Sequence, residues 1–461
     1  MAALAPVRLV VLNHDGGAHL ERCVSQLLAL DWPSDQLEVV VVDNASTDGS
    51  ADEVERRHPE VRVERNATNT GFPANNRALR DLAGVRYVGL VNNDAFVEPG
   101  WLTPLVAALD ADDGLGAVNG TLLFDAAFVD LAIEGPSASP GRRDPRRLGV
   151  RVSGLRVGGE DRWRQALLRD GGWGPEPVAE GGVEGGVVEW TQSWARLAVP
   201  VLTGRPAAQT GGSATGRWSV DIELSAVDSH LVRLDGGAGE VEVAVSPVPS
   251  WYHLEVGGEP YDVVNNAGNA VRADGYGLDR GFGVARADWP AEPTDLFAWC
   301  GGAVLLRPSY LEQVGLFEES FFLYYEDVDL SWRGRARGWR YAYVPTAIAR
   351  HVHAASSGVA SAVAMRYAER NRLLVLVRNA PPAMALSAVA RFLTATASYA
   401  RRGPGPGDGS GPGPVARRRV GAFGQFVRAL PAAVAQRRRL RALQKVPDRE
   451  LLAGLVRDRP S

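Results

Sequence analysis

Residues 37–50 read LEVVVVDNASTDGS. The four consecutive valines make a short, β-rich apolar run, the pattern of a strand buried on both faces of a parallel sheet. The run stops at a polar cluster, Asp43, Asn44, Ser46, Thr47 and Asp48. Asp48 or Ser50 can then cap a helix over the segment DGSADEVERRH. The same order of strand, polar turn and helix recurs on both sides. VRLVVLN (7–13) is a strand, and Leu20, Val24, Leu27 and Leu28 follow at helical spacing. VRVER (61–65) is a third strand. A Gly-Phe-Pro turn opens a helix over about 73–83, and VRYVGLVNND (85–94) is a fourth strand. Repeated β-α units predict an α/β domain with a Rossmann-like, mostly parallel sheet and helices on both faces. Ligands of such sheets bind outside the carboxyl ends of the strands.

The texture changes near residue 125. Residues 126–261 are Gly-rich and carry short alternating stretches such as RWSVDIELSAV (217–227), HLVRLD (230–235) and EVEVAV (240–245). These predict an inserted all-β, sandwich-like domain. Its tryptophans, among them Trp163, Trp173, Trp190, Trp194, Trp218 and Trp251, suit core packing or a carbohydrate-stacking surface. Helix and strand signals resume beyond about 290, with WRYAYVP (339–345) as a strand and 362–380 helical. The expected organisation is therefore a discontinuous α/β domain (1–125 and 262–380), the insertion (126–261) and a basic helical tail (381–461). RRGPGPGDGSGPGP (401–414) is its flexible linker.

The chain has 461 residues, enough for two to four domains, and a net charge of −4. That charge conceals an asymmetry. From Met365 onward there are 19 basic and 5 acidic residues, a net +14, whereas the preceding 364 residues carry 31 and 49, a net −18. The tail reads as a solvated or docked segment, or as a contact for anionic lipid head groups through amphipathic stretches such as FGQFVRALPAAVAQRRRLRAL (423–443). No nucleic-acid motif accompanies the charge, so no nucleic-acid partner is expected. The two cysteines, Cys23 and Cys300, make no disulfide framework, and a reducing, cytoplasmic setting is expected. The sequence reads as having no signal peptide, and no uncharged apolar run reaches the length of a membrane span.

Three polar clusters end the predicted strands: Asn13-His14-Asp15, Asp43–Asp48 and Asn92-Asn93-Asp94. Each alone is compatible with turn chemistry. Together, on one sheet edge, they favour a nucleotide site. With VVLNHDGG (10–17), VVVVDNASTDGS (39–50), NTGFPANNRAL (69–79), GLVNNDAFVEPGWL (89–102), residues 300–357 and ERNRLLVLVRN (369–379), the chain resembles the family 2 glycosyltransferases of GT-A fold. The resemblance is closest to their bacterial rhamnosyltransferase-like branch. It covers about 1–125 and 262–380, and leaves the insertion and the tail unexplained.

The resemblance implies an inverting sugar transfer from a nucleotide-diphospho-sugar, such as dTDP-rhamnose or a UDP-sugar, to a hydroxyl of a cell-envelope glycan or polyprenyl-linked saccharide. It places the work at the inner face of the membrane. It implies that Asp327, in FFLYYEDVDLSWR (321–333), is the general base and that its neighbour Glu326 orients the acceptor. Asp43 corresponds to the residue that binds the nucleotide base. Asn13, Asp15, Asn69, Gly71, Asn75, Asn92 and Asn93 would line the donor pocket, and Arg77 either nears the diphosphate or forms a surface ion pair. The DxD-like motif is Asn92-Asn93-Asp94, so only Asp94 remains as its carboxylate ligand for a divalent metal, Mg2+ or Mn2+. His351, with His353 as the alternative, would complete that metal site, and the loop Ala354–Gly358 would close over the diphosphate. Trp299, Gly301 and Gly302 would contact the acceptor, or pack at a turn. Asp329 stands four residues before Arg333, the spacing of a helical ion pair. Cys300 has no role as a nucleophile in an inverting mechanism. The competing reading is a carbohydrate-binding or scaffolding protein with a degenerate transferase domain.

Overall fold

The computed structural model describes residues 6–141, 146–180, 183–203, 216–352, 362–401 and 412–456. Strands β1 (Val7–Asn13), β2 (Leu37–Asp43), β3 (Arg62–Arg65) and β4 (Tyr87–Asn92) form the parallel heart of the sheet, in the order β3-β2-β1-β4. Helices α1 (Gly17–Leu28) and α2 (Ser50–Arg57) follow the first two strands. The valines of β2 are buried alternately in two core clusters, Val39 and Val41 on one face and Val40 and Val42 on the other. This is the double-sided burial that an uninterrupted apolar run demands.

Two sequence expectations are corrected in extent. The fourth strand stops at Asn92, and Asn93-Asp94 turn into the short strand β5 (Ala95–Val97). The helix expected over 73–83 is a 3-10 turn, Phe72–Asn75, followed by a single helical turn, α3 (Asn76–Leu79). Asp81 Oδ1 accepts a hydrogen bond from Ala83 N, and Gly84 has φ +75°, so local polar bonding replaces further helix.

After α4 (Leu102–Ala111) comes β6 (Leu115–Glu134), 20 residues long. Its first half lies in the α/β sheet, antiparallel to Ala303–Leu306 and parallel to Arg340–His351. Its second half pairs with the strand Val183–Thr203 of the β-rich unit. The strand thus crosses residues 125–126 without a break. Further antiparallel strands, Val150–Val157, Gly216–Ala226 and Ser250–Gly258, surround a separate core that includes Leu131, Val152, Leu197, Val220 and Ile222. Trp190 is buried, whereas Trp173, Trp194 and Trp251 are substantially exposed. The chain returns through Tyr261–Asn266, which runs antiparallel along β6 from Phe128 down to Leu122.

Helices α5 (Pro308–Val314) and α6 (Glu326–Ala336) precede Arg340–His351. The C-terminal part is helical: α7 (Ala362–Asn379), α8 (Pro382–Arg401) and α9 (Pro412–Ala442). These helices share a core with α6, in which Trp332, Leu374, Phe392 and Phe426 are buried together. The tail is therefore docked on the α/β half. The expected linker falls mainly on residues outside the described set, as do His353 and Ala354–Gly358.

Candidate active site

The parallel register sets Asn13 beside Asp43 and Leu12 beside Asn92, so the polar strand ends share one edge. Asn13 is fully buried there. Its Nδ2 lies within hydrogen-bond distance of Asp43 Oδ1 (3.2 Å), Ser46 Oγ (3.0 Å) and Ser50 Oγ (3.0 Å), and its Oδ1 accepts from Asn93 Nδ2 (3.0 Å). One amide thus clamps three strand ends together, and its polar atoms are engaged within the protein. Asp43 is buried, and among the described residues its Oδ2 has no donor, which leaves that oxygen for a ligand.

The other expected donor residues divide between scaffold and edge. Asp15 Oδ1 accepts from Thr47 N (2.6 Å), tying two loops together. Asn69 Oδ1 accepts from Asn44 Nδ2 and from Gly71 N, both at 2.8 Å, and Asn75 Nδ2 donates to Phe72 O (2.9 Å). These side chains shape the 69–76 loop. Gly71 has φ +72°, and a Cβ there would meet Phe322 O at 1.9 Å, so only glycine lets this loop touch the 322 loop. Arg77 pairs with Glu64 on the surface. Asn92 ends β4, and its N–H donates to Gly302 O (2.9 Å).

Asp94 and His351 come together. His351 Nε2 lies 3.0 Å from Asp94 Oδ1, and Val352 N donates to Asp94 O (3.1 Å). Burial opposes a charge on Asp94, but the His351 contact outweighs it and holds the carboxyl below its usual range. Among the described residues, no group of three or more His, Cys, Asp or Glu could hold a metal ion, so these two are the protein donors on offer.

The second half of the site is the start of α6. Phe322, Tyr324 and Tyr325 have φ of 64°, 68° and 72°, a left-handed region that large side chains rarely enter. The loop is held from outside. Asn371 Nδ2, on α7, lies 2.8–2.9 Å from the carbonyls of Phe321, Leu323 and Tyr324. Phe72 N donates to Phe322 O (2.7 Å). The strained loop delivers Glu326 and Asp327 to the helix N-terminus, where partial positive charge favours a carboxylate.

Asp327 is half-buried. Its Oδ1 accepts from Val328 N (2.7 Å), and its Oδ2 accepts from Asn269 Nδ2 (2.9 Å) and Gly301 N (3.3 Å). Burial pushes its carboxyl up to about 6 against these donors. Glu326 is 4% exposed, and its Oε1 has no hydrogen-bond partner. Burial and the adjacent Asp327 push it up to about 8. Asp329 differs again. Burial would raise it, but Arg378 and Arg333 outweigh burial and hold it at about 2. Arg333 Nε donates to its Oδ2 and Arg378 Nε to its Oδ1, both at 2.8 Å. The helical pair anticipated with Arg333 is present, and α7 adds the second arginine.

Of its two readings, acceptor contact or packing at a turn, Trp299 takes the packed one. Its indole is 0% exposed within the core, and Nε1 donates to Tyr310 Oη (3.3 Å), so it has no open face for a sugar. Gly301 does reach the site through its N–H to Asp327, and Gly302 links to Asn92. The 300–302 turn is thus the bridge between the Asn92–Asp94 edge and α6. Burial raises the Cys300 thiol well above its ordinary value, which suits an inert cysteine. Asn265, Asn266, Asn269 and Asp279 went unread in the sequence, although NNAGN (265–269) is an unusual amide cluster beside an apolar strand.

Residues 9–125 match the family described as Glycosyl transferase family 2. Over 61 residues the chain is 48% identical to the N-acetylglucosaminyl-diphospho-decaprenol L-rhamnosyltransferase of Mycobacterium tuberculosis, in strains CDC 1551 and H37Rv alike. That alignment spans 13% of this chain and 20% of each relative, so the chain covers about a fifth of their length. Among solved structures, the mannosyltransferase PcManGT of Pyrobaculum calidifontis, in complex with GDP-Man and Mn2+, is similar at 17% identity and a TM-score of 0.38, over 98% of this chain and 79% of that one. GalNAc-T7 with UDP, GalNAc and Mn2+ is similar at 13% identity and a TM-score of 0.43, over 94% and 58%.

Proposed function

We propose that this chain, with its Glycosyl transferase family 2 segment at residues 9–125, is an inverting glycosyltransferase. It moves a sugar from a nucleotide-diphospho-sugar to a hydroxyl of a cell-envelope glycan or polyprenyl-linked saccharide. The observation that carries this reading is the Asp327 carboxylate, half-buried at a helix N-terminus and joined through the Gly301-Gly302 turn to the strand edge of Asn92–Asp94. In the step itself the acceptor oxygen bonds to the anomeric carbon. The bond from that carbon to the diphosphate breaks, its electron pair leaves on the diphosphate oxygen, and the acceptor proton passes to Asp327. A carboxyl near 6 is ionised at neutral pH and still basic enough for this role. Asp43 Oδ2 would accept from a nucleobase N–H.

Asp94 and His351 fit a divalent cation: one carboxylate and one imidazole stand side by side and leave positions for phosphate oxygens and water. When bound, Mg2+ or Mn2+ would supply positive charge against the departing diphosphate. The relatives' printed name pairs L-rhamnose with a lipid diphosphate-linked sugar. By that likeness the donor here is dTDP-rhamnose, or a UDP-sugar, and the acceptor is lipid-linked. A panel of dTDP- and UDP-sugars, with Mg2+ or Mn2+, tests this by hydrolysis and transfer. Asp327→Asn is expected to keep donor binding and to lose about 10²–10⁴-fold in rate. Full activity in that variant would remove Asp327 from its role. Failure of every donor to bind would favour a binding module instead.

The partner surface of this reading is an anionic membrane. Among the described residues no helix is long and apolar enough to cross a bilayer. The outer sides of α8 and α9 expose Leu386 and Leu393, and Val420, Val427 and Val434, each row at a spacing of seven. Arg391, Arg417, Arg428, Arg438 and Arg439 are exposed on the same two helices. Apolar rows beside arginines suit the boundary between acyl chains and anionic head groups. Val420→Glu with Val427→Glu should weaken flotation with phosphatidylglycerol vesicles and leave donor hydrolysis unchanged. Undiminished flotation of the double variant would refute this contact.

A further inference from the structure

The chain leaves the β-rich unit along β6 and ends its return strand at Asn266, opposite Leu122 of the catalytic sheet. The sequence there is NNAGN (265–269), and Asn265, Asn266 and Asn269 are 3%, 3% and 7% exposed. A buried amide is costly unless its hydrogen bonds are made. These amides are engaged, and their partners lie on both sides of the site. Asn265 Oδ1 lies 3.1 Å from His351 Nδ1, whose Nε2 faces Asp94. Asn266 Nδ2 donates to Asn269 Oδ1 (2.9 Å) and Asp279 Oδ1 (2.6 Å), and its Oδ1 accepts from Gly268 N (2.7 Å). Asn269 Nδ2 lies 2.9 Å from Asp327 Oδ2 and 3.2 Å from Trp299 O. Gly268 has φ +86°, and a Cβ there would meet the Leu296 side chain at 2.5 Å, so the turn is confined to one shape.

We infer that Asn269 is a positioning residue for Asp327, and that the 265–269 turn holds the base at a set place relative to His351. This rests on the reading of Asp327 as the general base. Asn269 acts in two ways. Its N–H fixes which way the carboxylate plane faces, and it stabilises the ionised form that accepts the acceptor proton. Asp327 also faces Glu326 on α6, Asp279 on the strand Gly277–Asp279 and the Cys300 thiol, all of which disfavour its charge or gain from its neutrality. Asn269, with Gly301 N and Val328 N, is what opposes them. The consequence is that the β-rich insertion is not a detachable appendage, because its exit strand, through Asn265, and the turn after it, through Asn269, position His351 and Asp327.

The test compares the full-length chain with Asn269→Ala and Asn269→Asp, using hydrolysis of whichever dTDP- or UDP-sugar the wild type accepts. Asn269→Ala is expected to lower kcat by about tenfold to a hundredfold, with the donor KM within about twofold. The acidic limb of its kcat profile should move to higher pH. Asn269→Asp, nearly the same shape, should move that limb further, because a second carboxylate then faces the base. A structural role alone would lower the melting temperature and leave the limb where it was. Should Asn269→Ala fail to fold, the isosteric variant decides alone. Unchanged kcat and an unchanged limb in a folded variant would overturn the inference. Should the wild type hydrolyse no donor, the proposed function fails. The 13C carboxyl titration of Asp327, compared between wild type and Asn269→Asp, then tests the Asn269 contact separately, and an unmoved titration would overturn it.

Discussion

Glu326 and Asp327 are adjacent in the chain, yet their surroundings separate them. Asp327 has three donors on its two oxygens, whereas Glu326 is buried with Oε1 unpartnered. At neutral pH the first is ionised and the second carries its proton. Below about pH 6 Asp327 takes up a proton, so kcat/KM should fall there by about tenfold per pH unit. A flat profile down to about pH 4 would exclude it as the base. Glu326 makes a stability prediction. Its carboxyl titrates at 4.5 when unfolded and at about 8 when folded. Between these values the folded chain holds a proton that the unfolded chain has released, so stability is greatest below 4.5 and falls as pH rises towards 8. The slope is at most about 1.4 kcal/mol per pH unit. Glu326→Gln should therefore melt like the wild type near pH 4.5 and at a higher temperature near pH 8, as read by calorimetry. The opposite order would mean that the glutamate is ionised in the fold. Asp329 shows why proximity in sequence is a poor guide to role: two arginines claim both of its oxygens, and it serves the packing of α6 on α7.

Among the elements, the 321–325 loop sets the geometry of Asp327 and cannot hold itself. Three non-glycine residues with positive φ cost about 1–3 kcal/mol each. Asn371, fully buried on α7, supplies the bonds that keep them so. Asn371→Ala removes the donor shared by three carbonyls. We expect a lower melting temperature, by the equivalent of about 1–3 kcal/mol, and a fall in kcat larger than the change in donor KM. Normal kcat in a folded Asn371→Ala chain would show that the loop keeps its shape without the amide. The loop 69–76 buttresses the same segment from the opposite side, through Phe72 N and Gly71.

For the molecule as a whole, β6 and the tail decide how the parts depend on one another. One strand serves both the α/β sheet and the β-rich core, and the chain comes back along it. Helix α9 buries Phe426 and Ala433 against α6, α7 and α8. Removing residues beyond 401 would expose Phe392, Leu374 and their neighbours to water, at roughly 1.5–3 kcal/mol for each large side chain. Truncation at 401 should therefore lower the melting temperature sharply or cause aggregation. A truncated chain that melts like the wild type would show that the tail is dispensable to the fold.

Much of this architecture was legible in local pattern. The valine runs, the alternation of strand and helix and the polar strand ends follow from short-range chemistry, which periodicity reports directly. Asp94 and Asp327 were identified through motifs whose residues are contiguous. Contacts between distant segments were not legible. Asn269 lies 58 residues from Asp327, and Asn265 lies 86 from His351. Asn371 reaches back across 50 residues to Phe321. Trp299, near Gly301 and Gly302, read as either a sugar platform or a residue packed at a turn, and only the tertiary fold placed its indole in the core. The tail's charge was visible at once, but which arginines face water and which close ion pairs depended on docking. Arg419 binds Glu369 and Thr396, while Arg391 and Arg428 are exposed. The sequence by itself determined the parallel sheet and the residue types at its carboxyl edge, because both depend on spacing along the chain. The tertiary structure alone decided how Asp327 is held and what charge its neighbours carry, because burial and hydrogen bonding there come from strands and helices far away in sequence.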